Sequence, residues 1–261
     1  MMPLDADILS GLEAGTRESR TLAEALNVDF ARLLSSAVPQ AGVDAARVLQ
    51  AAAGEGVVRR MALAGAVLLD RLGPGAVPQL VRHPSDTVRG WACYMIGGMP
   101  GLDLRARLEA MRPLAADPHF GVREWAWMAL RGHVVAAPDA AIAELVPWCS
   151  MADERLRRFA SEATRPRGVW CAHVGILRAE PWRAETLLEA LREDPAVYVR
   201  LSVGNWLNDA AKDQPDWVRS LAARWRGETA SPHAAHVLRR AVRSLPEVRA
   251  VRSRRATQPG S

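Results

Sequence analysis

Between residues 153 and 216 the sequence concentrates side chains able to do chemistry. One helical stripe carries Arg155, Arg158, Glu162 and Arg165, three or four residues apart, while Leu156, Phe159, Ala160 and Ala163 take the apolar side. A second carries Ser202, Asn205, Asp209 and Lys212, backed by Val199, Val203, Leu207 and Ala210. Between them runs Arg165-Pro166-Arg167-Gly168-Val169-Trp170, a basic loop closed by a tryptophan. Fixed carboxylates stabilise developing positive charge and orient a water. A tryptophan face attracts a cation by about 0.5–2 kcal/mol. The bland alternative is a solvated face with salt bridges between neighbouring helices, and pattern by itself leaves it open. Neither acid lies on an apolar stripe, so neither is expected to take part in packing.

The elements that must position these groups are repeats. His83-Pro84-Ser85-Asp86-Thr87-Val88-Arg89-Gly90-Trp91-Ala92 is echoed by Asp117-Pro118-His119-Phe120-Gly121-Val122-Arg123-Glu124-Trp125-Ala126. Further copies end Leu156-Arg157-Arg158-Phe159-Ala160 and run Asp194-Pro195-Ala196-Val197-Tyr198-Val199-Arg200. The arginines fall at 89, 123, 157 and 200, with the 165–170 loop inside the longest step. Weaker copies surround Val58-Arg59 and Leu238-Arg239. Within a unit, Val122, Trp125, Ala126, Ala129 and Leu130 recur with helical period. Asp-Pro is expected to end one helix and place proline in the first turn of the next. No stretch alternates with period two, so the pattern predicts an all-α, HEAT-like solenoid in which stacked repeats bury what each helix pair cannot. Stacking also brings Glu162 and Asn205, which hold equivalent places in their repeats, side by side. Residues 1–245 read as one repeat domain and residues 246–261, with Arg249, Arg252, Arg254 and Arg255, as a basic flexible tail.

Composition narrows the partners. Of 261 residues, 49% are hydrophobic and 24% charged, which permits a sizeable core and argues against wholesale disorder. The net charge of +5 permits an anionic partner without requiring one. Lys212 is the sole lysine, and most of the nine tryptophans are expected in the core. Cys93, Cys149 and Cys171 fit neither a disulfide framework nor a metal pair, which agrees with a reducing cytoplasm. His233 and His236 lack a third ligand nearby, so no metal is expected. No apolar run is long enough to span a membrane.

The run Arg158-Phe159-Ala160-Ser161-Glu162-Ala163-Thr164-Arg165-Pro166-Arg167-Gly168-Val169-Trp170 resembles the signature of the HEAT-like DNA alkylation-repair glycosylases, closest to the AlkC branch of the AlkC/AlkD group. Val199-Arg200-Leu201-Ser202-Val203-Gly204-Asn205-Trp206-Leu207-Asn208-Asp209-Ala210-Ala211-Lys212-Asp213 resembles a second family segment. The final helix, with His236, Leu238, Arg239, Arg240, Ala241 and Leu245, matches more weakly. Two positions depart: His119 stands where AlkC proteins have a carboxylate, and Trp206 where they have a small or polar residue.

The resemblance implies a cytoplasmic, monomeric, cofactor-free enzyme that removes alkylated, cationic bases from double-stranded DNA by cleaving the N-glycosidic bond, without flipping the base. It places Glu162, Asp209, Trp170 and His119 at the catalytic site, and Arg165, Arg167, Arg123, Asn205, Lys212 and Arg239 on the DNA. Such a base is already a good leaving group, and the transition state adds oxocarbenium character at the sugar. Two carboxylates beside that sugar suit it, with Arg165 and Arg167 holding phosphates. The alternatives are a non-catalytic HEAT-repeat DNA-binding protein and a HEAT scaffold that binds proteins.

Overall fold

The computed structural model describes residues 5–246. Among these it contains sixteen α-helices and no strand. They are α1 (Ala6–Glu13), α2 (Leu22–Asn27), α3 (Phe30–Ala37), α4 (Val43–Ala51), α5 (Val57–Leu72), α6 (Val77–Leu80), α7 (Asp86–Gly98) and α8 (Leu104–Ala115). The remainder are α9 (Phe120–Ala136), α10 (Pro138–Leu145), α11 (Glu154–Thr164), α12 (Gly175–Ala179), α13 (Glu185–Leu191), α14 (Val197–Ala210), α15 (Pro215–Glu228) and α16 (Pro232–Ala241). The basic stretch expected beyond Pro246 lies outside the described residues.

Helices α5, α7, α9, α11, α14 and α16 pack in sequence as one row, each against the next. Helices α8, α10, α13 and α15 pack along that row as the second layer. The four arginine-bearing helices therefore stack as equivalent elements. The helical stripe expected on α9 is the one that packs: Val122, Trp125, Ala126 and Leu130 are buried. Trp91, Trp125, Trp127, Trp148, Trp206 and Trp225 lie in the core, whereas Trp170 and Trp182 are about half exposed. No described helix is long and apolar enough to cross a membrane.

The recurring arginine has one job in all four repeats. Its Nη1 reaches back to the two carbonyls that precede its own helix. Arg89 donates to His83 O and Pro84 O at 2.8 and 3.2 Å. Arg123 donates to Asp117 O and Pro118 O, both at 2.8 Å. Arg157 takes Met151 O and Ala152 O at 2.9 and 2.8 Å. Arg200 takes Asp194 O and Pro195 O, both at 2.7 Å. Carbonyls at a loop need donors, and one guanidinium supplies two.

The other edge of the guanidinium joins repeats. Arg89 Nε is 2.9 Å from Asp117 Oδ2, and Arg157 Nε is 2.6 Å from Asp194 Oδ2, each aspartate opening the next repeat. Where that aspartate is missing, the arginine turns elsewhere. The α11 repeat has Met151-Ala152 in place of Asp-Pro, and Arg123 Nε instead donates to Tyr198 Oη at 3.0 Å. Arg200 Nε reaches His236 Nδ1 at 3.3 Å.

Two local expectations need correction. Pro118 and Pro195 do not enter the first turn of a helix: the following residues, His119 and Ala196, are the N-caps. Asp117 and Asp194 each accept the N–H two residues on, His119 N at 2.7 Å and Ala196 N at 2.8 Å, which closes a turn before the helix begins. In α5 the equivalent arginine is Arg60 rather than Arg59. Counted from the N-cap, Arg60 holds the place of Arg89, and it donates to Val28 O at 2.7 Å.

The ladder predicts unequal costs. Asp194→Ala removes a buried carboxylate that the part-buried Arg157 grips at two points, and should destabilise the protein by about 2–4 kcal/mol. Asp153→Ala removes only the α11 N-cap and should cost about 0.5–2 kcal/mol. Urea unfolding followed by circular dichroism compares the two; equal midpoints would refute the ladder.

Candidate active site and nucleic-acid interface

The α11 and α14 stripes meet as adjacent members of the row. Ser161 Oγ and Ser202 Oγ lie 2.5 Å apart between them. Trp206, fully buried, donates its indole N–H to Thr164 Oγ1 at 3.2 Å, so the unusual tryptophan is a tie between α14 and the end of α11.

Glu162 and Asp209 come together through one guanidinium. Arg165 Nη1 is 3.2 Å from Glu162 Oε2, and Arg165 Nε and Nη2 are 2.9 and 2.7 Å from Asp209 Oδ2. Lys212 Nζ lies 3.1 Å from Asp209 Oδ1, and Arg158 Nη2 lies 3.4 Å from Glu162 Oε1 and 2.7 Å from Glu124 Oε1. The chain of charge thus runs Glu124, Arg158, Glu162, Arg165, Asp209, Lys212 across three repeats. Tyr198 lies beneath two cations, with the Arg158 and Arg123 guanidinium carbons 4.4 and 5.3 Å from its ring centre.

Both acids are buried, Glu162 at 3% and Asp209 at 5% exposure. This corrects the expectation that they stand apart from the packing. A polar stripe between two packed helices faces the neighbouring helix, and the arginine turns inward with it. Burial works to lower the Arg165 pKa, but Glu162 and Asp209 more than offset it and hold the guanidinium above its usual value.

The 165–174 loop is held from below by Arg131, 2% exposed. Its three donor nitrogens bond Ala163 O at 2.8 Å, Arg165 O at 2.5 Å and Ala172 O at 2.7 Å. Burial lowers its pKa. Gly168 permits the fold-back: a Cβ there would collide with Cys171 Sγ. Trp170 then stands half exposed at φ +61°, the sole positive-φ residue other than glycine among those described. Such a backbone at a bulky residue is strained and persists where surrounding contacts impose it. Among the described residues no hydrogen bond or ring contact joins Trp170 to either acid.

The other expected site residues fall as follows. Arg167 pairs with Asp213 through Nε at 3.0 Å and Nη2 at 2.7 Å. Arg178 grips the same carboxylate, and its hydrogen bond, with that of Arg167, holds Asp213 well below the usual carboxylate range. Arg165 and Arg167, expected on phosphates, are therefore both committed to acids of the protein itself. His119 is not brought to the cluster. It caps α9, with Nδ1 accepting Gly121 N–H at 3.2 Å and Nε2 at 2.7 Å from Ser19 O. Asn205 accepts Arg240 Nε at 2.7 Å and Arg243 Nη1 at 3.1 Å. Arg239 is exposed, and Arg123 serves the ladder and Tyr198. Among the described residues no group of three or more His, Cys, Asp or Glu could hold a metal.

Sequence reading missed Arg131, Tyr198, Arg240 and Arg243 as parts of this region. Arg131 had a signal: it shares a helical face with the apolar Trp127 and Val134, where a charge needs a buried partner.

The row of helices is close to known structures. The chain matches the Pseudomonas fluorescens alkylpurine DNA glycosylase AlkC bound to DNA containing an abasic site analog, with a TM-score of 0.69 at 24% identity over 94% of this chain. The chain has the AlkC/AlkD fold. AlkD2 from Streptococcus mutans matches with a TM-score of 0.59 at 20% identity, over 77% of this chain and 97% of that one. An uncharacterized protein of Bacillus subtilis, YhaZ, is 33% identical over 137 residues, 52% of this chain. The chain spans 65% of the AlkC structure, and its match to YhaZ covers 37% of that protein. No family model matches the sequence.

Arg165 is the pivot of the cluster, so Arg165→Gln should cost about 3–5 kcal/mol by leaving two buried carboxylates short of a partner. In a Glu162→Gln, Asp209→Asn background most of that cost should vanish. Urea midpoints of the resulting cycle measure the coupling, and additive costs would show that the three groups do not act as a unit.

Proposed function

We propose that this protein is a DNA glycosylase that excises alkylated, cationic bases from duplex DNA by hydrolysing the N-glycosidic bond, without drawing the base into a pocket. The observation that carries this reading is the pair Glu162 and Asp209, from adjacent repeats, fixed by one guanidinium beside a loop that ends in an exposed tryptophan. The shared fold with a glycosylase seen on DNA supports it.

Asp209 Oδ2 is taken twice by Arg165, whereas among the described residues Oδ1 is bonded by Lys212 alone. That lysine side chain is 47% exposed, which makes it the most accessible of the cations in the cluster. A DNA phosphate can draw Lys212 off and free Oδ1 for the sugar. As the C1′–N bond breaks, its electron pair leaves with the base, which departs neutral. The sugar becomes an oxocarbenium ion, which the Asp209 carboxylate stabilises and Glu162 supports. Water adds at C1′ and loses its proton to a carboxylate. The Trp170 face serves the cationic base or sugar. His119, whose ring nitrogens are both engaged, acts in this reading through the backbone it holds.

One observation favours the non-catalytic DNA-binding alternative: Arg165 occupies an oxygen of both acids. Base release from methylated duplex DNA decides between them. Asp209→Asn should lower the rate by about 10²–10³ while duplex affinity survives. A variant that keeps the full rate would remove the catalytic assignment, and a wild type that binds duplex without releasing base would establish the alternative.

A further inference from the structure

Arg240, near the end of α16, and Arg243, just beyond it, converge on one neutral oxygen. Both donate to Asn205 Oδ1 of α14, and Arg243 Nη1 also reaches Arg240 O at 3.3 Å. Like charges are rarely held so close without an anion. Arg89, Arg157, Arg158, Arg165 and Arg167 all meet carboxylates. Among the described residues none pairs with Arg240 or Arg243. Burial and the Arg240 charge together lower the Arg243 pKa.

The convergence is built, not incidental. The stem of Arg240 lies in a notch left by Gly204, where an added Cβ would meet Arg240 Cβ at 2.7 Å and Cδ at 3.0 Å. Asn208 Nδ2 donates to Ala241 O at 3.2 Å, and Ser244 Oγ to Asn208 Oδ1 at 3.3 Å, tying this end of α16 to α14. With its Oδ1 taken, Asn205 has Nδ2 left to donate, as do the unused N–H groups of both guanidiniums. The cluster therefore offers donors and positive charge, and its one acceptor is already used. That is a receptor for an anion with several oxygens.

Its position says which anion. Asp209 lies one helical turn beyond Asn205 on α14, and its charge acts on Arg243. We propose that Arg240, Arg243 and Asn205 form a seat for one backbone phosphodiester of duplex DNA, which sets the nucleotide that faces Asp209. The assignment rests on the glycosylase reading and moves the phosphate contact away from Arg165 and Arg167. Contacts to the backbone set register and carry no sequence information.

The test is duplex binding by fluorescence anisotropy with an undamaged, labelled oligonucleotide across a range of NaCl. For R240Q/R243Q, affinity should fall for every sequence, and the slope of log K against log salt should become shallower by about 0.9, one neutralised phosphate. G204A keeps both charges but displaces the Arg240 stem, and should weaken binding several-fold with its helix content intact. If the double variant fails to fold, G204A alone carries the test. An unchanged slope in the folded double variant, or unchanged binding by G204A, would overturn the seat. Base release from methylated duplex is scored separately. A slope lowered by about 0.9 with no release by the wild type keeps the seat and removes the enzyme. Normal release with an unchanged slope removes the seat alone.

Discussion

The structure depends on an arginine that answers to two repeats at once. Helices α7, α9, α11 and α14 each begin after a loop whose last carbonyls need a donor. The arginine one turn inside each helix satisfies them. In α7 and α11 its remaining edge reaches the aspartate that opens the next repeat. The loop is thereby solvated by the protein, and the spacing between neighbouring helices is fixed by a planar, bidentate bond rather than by apolar contact, which tolerates sliding. Everything at the site inherits its register from this. Glu162 can meet an arginine shared with Asp209 because α11 and α14 are held at one offset.

The same rule explains where the row is irregular. Loss of the aspartate before α11 releases one edge of Arg123, which swings to Tyr198 two repeats on. That contact, with Arg158 on the same ring, spans α9 to α14 past α11. The site therefore sits beside a broken rung: α11 and α14 keep their Arg157–Asp194 bond, while the neighbouring α9–α11 junction is bridged by a different network. A regular repeat gives identical surfaces, and a binding site requires a place where the repeat is not identical.

The repeat, the all-helical class and the two polar stripes were legible because they are periodic. Val-Arg recurs at equivalent positions, and apolar residues recur with helical spacing. What could not be read was the direction of the polar side chains. The spacing of Glu162 and Asp209 puts them on a polar stripe, but a stripe between stacked helices looks the same in sequence whether it faces water or the next helix. Arg165 and Arg167 read as basic groups for an anion. Their true partners, Asp209 and Asp213, lie more than forty residues away, and only the stacking offset brings them together. His119 illustrates the converse. Its place relative to a family pattern suggests chemistry, yet at the start of a helix a side chain with a free acceptor is also a cap, and the bond to Ser19 could not be foreseen from local pattern.

Charge along the row then acquires a direction. From Glu124 to Lys212, three acids and three bases alternate, so the buried Glu162 and Asp209 add little net field beyond their immediate surroundings. Toward α16 the pairing stops among the described residues, and Arg240 and Arg243 share an amide oxygen there. In the proposed reading, a polyanion approaching this face is drawn toward that end, since long-range attraction follows uncompensated charge, and the nucleotide beside the held phosphate faces Asp209. Arg165 orders two acids that would otherwise repel each other. On that reading the groups that grip the backbone are separate from those that face the sugar. Neighbouring repeats then supply separately the positive charge that a phosphate needs and the negative charge that an oxocarbenium ion needs.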